Sequence, residues 1–209
     1  MSTIRRQSIL SSGIIYVGFA LGFLNTYLFT REGGFTPSEY GLYGTFIAIA
    51  NIINSFANLG MQAYIYKFYP YYHDNLKPRD NDMLGLALTT SLLGFLTVML
   101  AGYIFEDFVV RKFGAHSADL ITYYFWIFPL GFGLTIYSLL EAYAWQLKKS
   151  VLTTFFRELL FRLFTTVLIV LVFAGVIYDF GLFIRLFALT YIVLAIILLI
   201  LLIRTGQIH

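Results

Sequence analysis

Long apolar runs recur along the chain, separated by short polar or Gly/Pro-bearing stretches. They predict membrane-spanning helices at residues 8–29, 39–65, 83–105, 119–145, 151–177 and 182–203. Roughly 20 apolar residues at about 1.5 Å each cross the hydrocarbon of a bilayer. The stretches between them read as loops. TREGGFTPS carries two glycines and a proline, and residues 69–82 (YPYYHDNLKPRDND) form the most polar segment, with two prolines. EDFVVRKFGAHS at 106–117 reads as a loop or short interfacial helix. Residues 146–150 make a tight basic turn, and YDFG at 178–181 is a very short connection. The pattern predicts an all-α polytopic membrane protein, a bundle of six transmembrane helices forming a single lobe over residues 1–209.

Polar residues inside these runs have a pattern of their own. In the second span, Ser55, Asn54, Asn58 and Gln62 stand 4, 3, 7 and 11 residues from Asn51. On a helix these positions fall within a sector of roughly 100°. Ile49, Ile52, Ile53, Phe56 and Ala57 take the opposite side. Unpaired amides in hydrocarbon are costly, so the stripe is expected to face other helices or a wet cavity. It serves either as interhelical hydrogen bonding or as the wall of a transport pathway. In the first span, Ser11, Gly18, Gly22 and Asn25 share a face that admits another helix closely, with Asn25 bonding across the contact or reaching a cavity. Pro129, Gly131 and Gly133 predict a kink near the middle of the fourth span.

Three arginines and two glutamates fall inside predicted spans: Arg157, Arg162, Arg185, Glu141 and Glu158. A central charge costs roughly 2.5–3.5 kcal/mol on insertion scales, so each needs a reason. Arg157 is close enough to the end of the fifth span to snorkel, whereas Arg162 lies near the midplane. Glu158 and Arg162 are four apart and can pair on one helix face. Glu141 sits near the end of the fourth span, as an interfacial residue or as the partner of Arg157 across the short turn. Snorkelling accounts for Arg185. The trio in the fifth span reads as a structural ion pair or as a cationic site for an anionic substrate. Arginine offers a planar charged fork to phosphate, and Asn and Gln both donate and accept toward sugar hydroxyls. The candidate substrate pathway is therefore Asn25, Asn51, Asn54, Asn58, Gln62, Glu141, Arg157, Glu158 and Arg162.

Composition adds bounds. The chain has 209 residues, 59% hydrophobic and 12% charged, with mean hydropathy +0.80. That charge fraction is about half of what a soluble domain carries. A formal net charge of +3 gives no argument for nucleic acid. Its distribution matters more: Arg5, Arg6, Lys67, Lys77, Arg79, Lys148, Lys149 and Arg204 fall on one side of the predicted membrane, and only Arg31, Arg111 and Lys112 on the other. The positive-inside rule then places both termini in the cytoplasm. There is no cysteine, and His73, His116 and His209 are scattered. No metal site, cofactor or catalytic constellation is expected, and the chain does not read as an enzyme.

Three short motifs carry a resemblance: Glu-Tyr-Gly-Leu-Tyr (39–43), Asn-Leu-Gly-Met-Gln-Ala (58–63) and Lys-Phe-Tyr-Pro (67–70). In that order they resemble bacterial polysaccharide-biosynthesis flippases, the O-antigen or oligosaccharide branch of the multidrug/oligosaccharidyl-lipid/polysaccharide exporter superfamily. The resemblance implies two six-helix lobes around a central cavity with alternating access. It implies export of a lipid-linked oligosaccharide across the bacterial inner (plasma) membrane, energised by an ion gradient in some members. This chain matches the N-terminal lobe alone. It is then a truncated or split product, or a second six-helix lobe, from another copy or a separate chain, completes the cavity. Alternatives are a cation-coupled drug or metabolite antiporter lobe, and a non-transporting membrane scaffold subunit.

Overall fold

The computed structural model describes residues 3–76, 80–113 and 118–204. Lys77, Arg79, His116 and His209 lie outside the described residues; among the described residues there is no strand. The helices are α1 (Thr3–Thr30), α2 (Pro37–Ala57), α3 (Met61–Asn75), α4 (Met83–Ile104), α5 (Glu106–Phe113), α6 (Ala118–Thr122), α7 (Ile127–Gln146), α8 (Ser150–Thr154), α9 (Phe161–Phe173), α10 (Phe180–Ala188) and α11 (Thr190–Ile203). A 3₁₀ turn (Tyr124–Trp126) leads into α7, and a π-helix (Phe155–Leu160) joins α8 to α9.

Four helical stretches are long and apolar enough to cross a membrane: Arg5–Thr30, Met83–Ile104, Tyr124–Gln146 and Phe180–Ile203. The pair α2 and α3, bent by 50°, makes a fifth if counted as one broken span. Residues such as Phe23 (79% exposed) and Tyr16 (74%) would be untenable facing water in such number. This is the architecture of a multi-pass membrane protein.

Helix α7 is the axis of the bundle. It is predominantly apolar on all sides, with Thr135, Ser138 and Glu141 as its buried polar residues, and such a helix is buried all round. Its first half joins Phe29, Phe46, Ile53, Phe183 and Phe187 in one core cluster. Its second half joins Ile65, Met83, Leu194 and Leu198 in another. Helices α2 and α11 flank it most extensively, with α3 and α4 beside them. Helix α1 stands outermost and leans on α8, the π-helix and α9.

Three sequence expectations are corrected. The second span is not one helix over 39–65. It breaks at Asn58, Leu59 and Gly60, where Leu59 (φ 48°) and Gly60 (φ 78°) take left-handed backbone. The Asn58 side chain promotes the break, because its Oδ1 accepts from the Gln62 N–H (3.0 Å) and caps the new helix. Residues 69–75, expected in a loop, continue α3 with Pro70 inside it. Tyr69 meets Tyr143 of α7 edge-on at 5.7 Å, and the Tyr64 hydroxyl donates to that of Tyr72 (2.9 Å); these contacts hold the helix past the proline. The kink expected at Pro129 is absent from the middle of the fourth helix, because α7 begins at Ile127. Pro129 sits in its first turn, where the missing N–H has no partner to lose.

The break gives a direct test. Nothing lies within 4 Å of a Cβ built on Gly60, so the cost of a side chain there is conformational alone. Gly60→Val is expected to lower stability by about 1–2 kcal/mol, and Leu59→Gly to be neutral or stabilising. Thermal unfolding of the detergent-solubilised protein measures both; equal melting of Gly60→Val and wild type would contradict the left-handed assignment.

At the start of α2, Thr36 and Glu39 form a capping box. The Glu39 carboxylate accepts from the Thr36 N–H (2.6 Å), and the Glu39 N–H donates to Thr36 Oγ1 (3.3 Å), with Pro37 in the first turn. The acidic residue of the Glu-Tyr-Gly motif is thus occupied with starting a helix.

Candidate functional site

A cavity of about 750 Å³ opens between α1, α2, the π-helix, α9 and α11. Asn25, Arg157, Glu158 and Arg162 line it, together with Tyr40, Tyr43, Phe161 and Tyr191. Four of the nine candidate pathway residues therefore converge on one space.

The π-helix positions them. Residues five apart stand about 140° apart on an α-helix, which would turn Arg157 and Arg162 away from each other. The wider π turn, with the Phe161 N–H bonded to the Phe156 carbonyl, brings both toward the same opening. No signal in the sequence marks this turn.

Helix α1 supplies the opposite wall through its small residues. A Cβ on Gly18 would press on the Glu158 carbonyl oxygen (2.6 Å), and one on Gly22 would collide with the Arg162 guanidinium. This close approach lets Arg162 bond across the interface. Its Nη1 donates to the Gly18 carbonyl (2.8 Å) and its Nη2 to Glu158 Oε2 (3.1 Å). Its guanidinium carbon also lies 5.6 Å from the Phe19 ring centre. Asn25 completes the seam: its Nδ2 donates to the Arg162 carbonyl (3.0 Å), and its Oδ1 accepts from the Thr166 hydroxyl (2.6 Å). The small-residue face and the Glu158–Arg162 pair expected from spacing are both present.

Arg157 is held differently. Its Nη1 donates to Glu141 Oε2 (3.2 Å) across the α7–α8 turn, as the sequence allowed. Glu141 does not line the cavity itself; it stands behind Arg157 on α7. The Glu141 side chain is 7% exposed and that of Arg157 52%. Arg162 is thus tied into the helix seam, while Arg157 stands at the cavity with most of its fork uncommitted.

The amide stripe does not join this site. Asn51 and Ser55 are exposed and satisfy themselves on their own helix, Asn51 Nδ2 donating to the Ile47 carbonyl and Ser55 Oγ to the Asn51 carbonyl (2.8 Å each). Asn54 and Asn58 turn to α7, where Ser138 Oγ lies 3.0 Å from Asn54 Oδ1 and accepts from Asn58 Nδ2 (3.3 Å). Ser91 of α4 donates to the Asn58 carbonyl (3.3 Å). Gln62 lies past the bend, where its N–H is capped by Asn58. The stripe stands apart from this cavity for a physical reason. Ile53 and Ala57, read as its apolar opposite, are the buried positions that face the bundle, and the bend severs Gln62 from the rest. Arg185 is exposed and stacks on Trp126, with 5.8 Å from guanidinium to ring centre.

No protein-family model, no curated protein and no solved structure matches this chain.

Proposed function

We propose that the chain is one lobe of a transporter that moves a lipid-linked oligosaccharide across the bacterial inner membrane. The observation that carries this reading is the cavity itself: a largely uncommitted arginine fork, tyrosine side chains, and an opening beside a lipid-facing helix. A sugar phosphate needs the charged fork for its phosphate and hydroxyl or amide partners for its sugar. Its lipid tail needs an open route to hydrocarbon.

In this reading residues 150–173 are a further span, which their charges keep out of a count based on apolarity, and the bent α2–α3 pair is another. The bundle then has six spans, with both termini in the cytoplasm. Glu158 and Arg162 lie at membrane depth in a cavity open on one side, so a second lobe, from another copy or a separate chain, closes it. The resemblance of the three short motifs to the polysaccharide flippases agrees with this arrangement.

Reconstitution tests it. Vesicles carrying the purified chain are expected to bring a fluorescent lipid-linked sugar pyrophosphate within reach of an impermeant quencher faster than protein-free vesicles. A rate equal to that of protein-free vesicles, with the chain alone and with co-purified partners, would refute the proposal.

A further inference from the structure

Glu141 has a setting that anion binding alone does not explain. It is a buried carboxylate in the last turns of the central helix, and its cation belongs to a different structural unit. Arg157 Nη1 makes the guanidinium's single hydrogen bond to a described residue, at 3.2 Å, and Arg157 itself lines the cavity. The same fork therefore has two possible partners: Glu141 on the inner side and an anion on the cavity side.

An anion that takes the fork leaves Glu141 buried and unpaired. Breaking a buried pair in this way is strongly unfavourable, and a buried carboxylate relieves it by becoming neutral. The other groups facing Glu141 offer no replacement cation. They are Tyr66 of α3, Tyr137 of α7, Tyr191 of α11 and Glu158 of the π-helix. Glu158 adds a like charge. The Tyr137 hydroxyl is committed to the Thr153 carbonyl (3.0 Å), and the neighbouring Trp145 Nε1 to Thr153 Oγ1 (2.8 Å).

We infer that Glu141 takes up a proton from solvent when an anion in the cavity draws Arg157 away, so that anion binding and protonation of Glu141 are linked. The guanidinium stays charged throughout; the carboxylate becomes a neutral carboxylic acid. This rests on the anion reading of the cavity. Its sign follows from linkage. The complex holds more protons than the free protein, so affinity rises as pH falls, by at most about tenfold per pH unit for one proton.

The test uses the full chain in zwitterionic nanodiscs with chelator present and farnesyl pyrophosphate as probe. Calorimetry in two buffers of different ionisation heat counts the protons taken up. Wild type is expected to take up as much as about one proton more than Glu141→Gln, whose affinity should vary less with pH; the difference cancels the probe's own titration. Ligand-induced infrared difference spectra of the wild type should also gain a protonated-carboxyl band, a readout that needs no variant. Binding with equal proton uptake in both proteins, or no such band, would overturn the linkage while leaving the anion site standing. Absence of binding in the wild type would overturn both.

Discussion

The Glu141→Gln/Arg157→Gln double variant is expected to melt like the wild type and yet bind farnesyl pyrophosphate on the order of 10- to 100-fold more weakly, the value of one charge-assisted contact of about 1.5–3 kcal/mol. Both partners must change together. Arg157→Gln alone strands the Glu141 carboxylate, whose side chain is 7% exposed, and loses stability for that reason. Replacing both removes the charge and its counter-charge, which can be nearly neutral for the fold. Arg162→Gln is expected to behave in the opposite way. It deletes the bond to the Gly18 carbonyl and the partner of Glu158, so α1 loosens and both stability and binding fall. An activity screen would score the two arginines alike; binding measured beside thermal unfolding separates a ligand contact from a helix tether. Unchanged binding in the double variant would remove Arg157 from the site.

That division of labour was only half legible in the sequence. Spacing foretold the Glu158–Arg162 pair, because residues four apart always meet on a helix. The short turn between helices made Glu141 a natural partner for Arg157. The face of Ser11, Gly18, Gly22 and Asn25 announced a close helix contact, and Gly18, Gly22 and Asn25 make it. What periodicity hid was local backbone choice. An ideal helix drawn through residues 39–65 lines up five polar side chains, but Asn58 prefers to cap the next helix, and Leu59 takes a left-handed conformation that its side chain disfavours. A single bend then severs Gln62 from the stripe. The π-helix is subtler still: one wider turn decides that Arg157 and Arg162 share an opening, and FFRELL carries no residue that demands it.

Amides also have more partners than a sequence pattern assumes. Asn51 and Ser55 reach back to carbonyls of their own helix, so an exposed position in the membrane does not leave them unsatisfied. Asn54 and Asn58 settle against Ser138 at the α2–α7 contact, the role that small polar residues play wherever lipid removes the hydrophobic drive between helices.

The same physics sets the second large expected effect, at the contact between α7 and α11. Gly133→Leu is expected to destabilise the protein by about 3 kcal/mol or more, the upper end for overpacking. A Cβ at Gly133 would run into the Ile192 backbone nitrogen and lie 2.7 Å from the Tyr191 carbonyl carbon. Backbone in a packed helix cannot rotate aside, so α11 must move off the axis of the bundle. It takes with it Tyr191, which lines the cavity. Gly131 offers a graded comparison. The nearest atoms to its Cβ are side-chain atoms of Ile53 at 2.8–3.0 Å. Ile53 Cγ2 and Cδ1 can rotate away but its Cβ, at 2.9 Å, cannot, so α2 must give by a few tenths of an ångström and Gly131→Leu should cost less than the collision with backbone at Gly133. Gly85 is the control, exposed on α4 with nothing within 4 Å, and Gly85→Leu should leave stability unchanged or raise it through helix propensity. Unfolding midpoints in a denaturing-detergent titration should therefore fall in the order Gly85→Leu, Gly131→Leu, Gly133→Leu. A Gly133→Leu protein as stable as the control would mean that α7 and α11 do not meet at this glycine, and the cavity that depends on α11 would lose one wall.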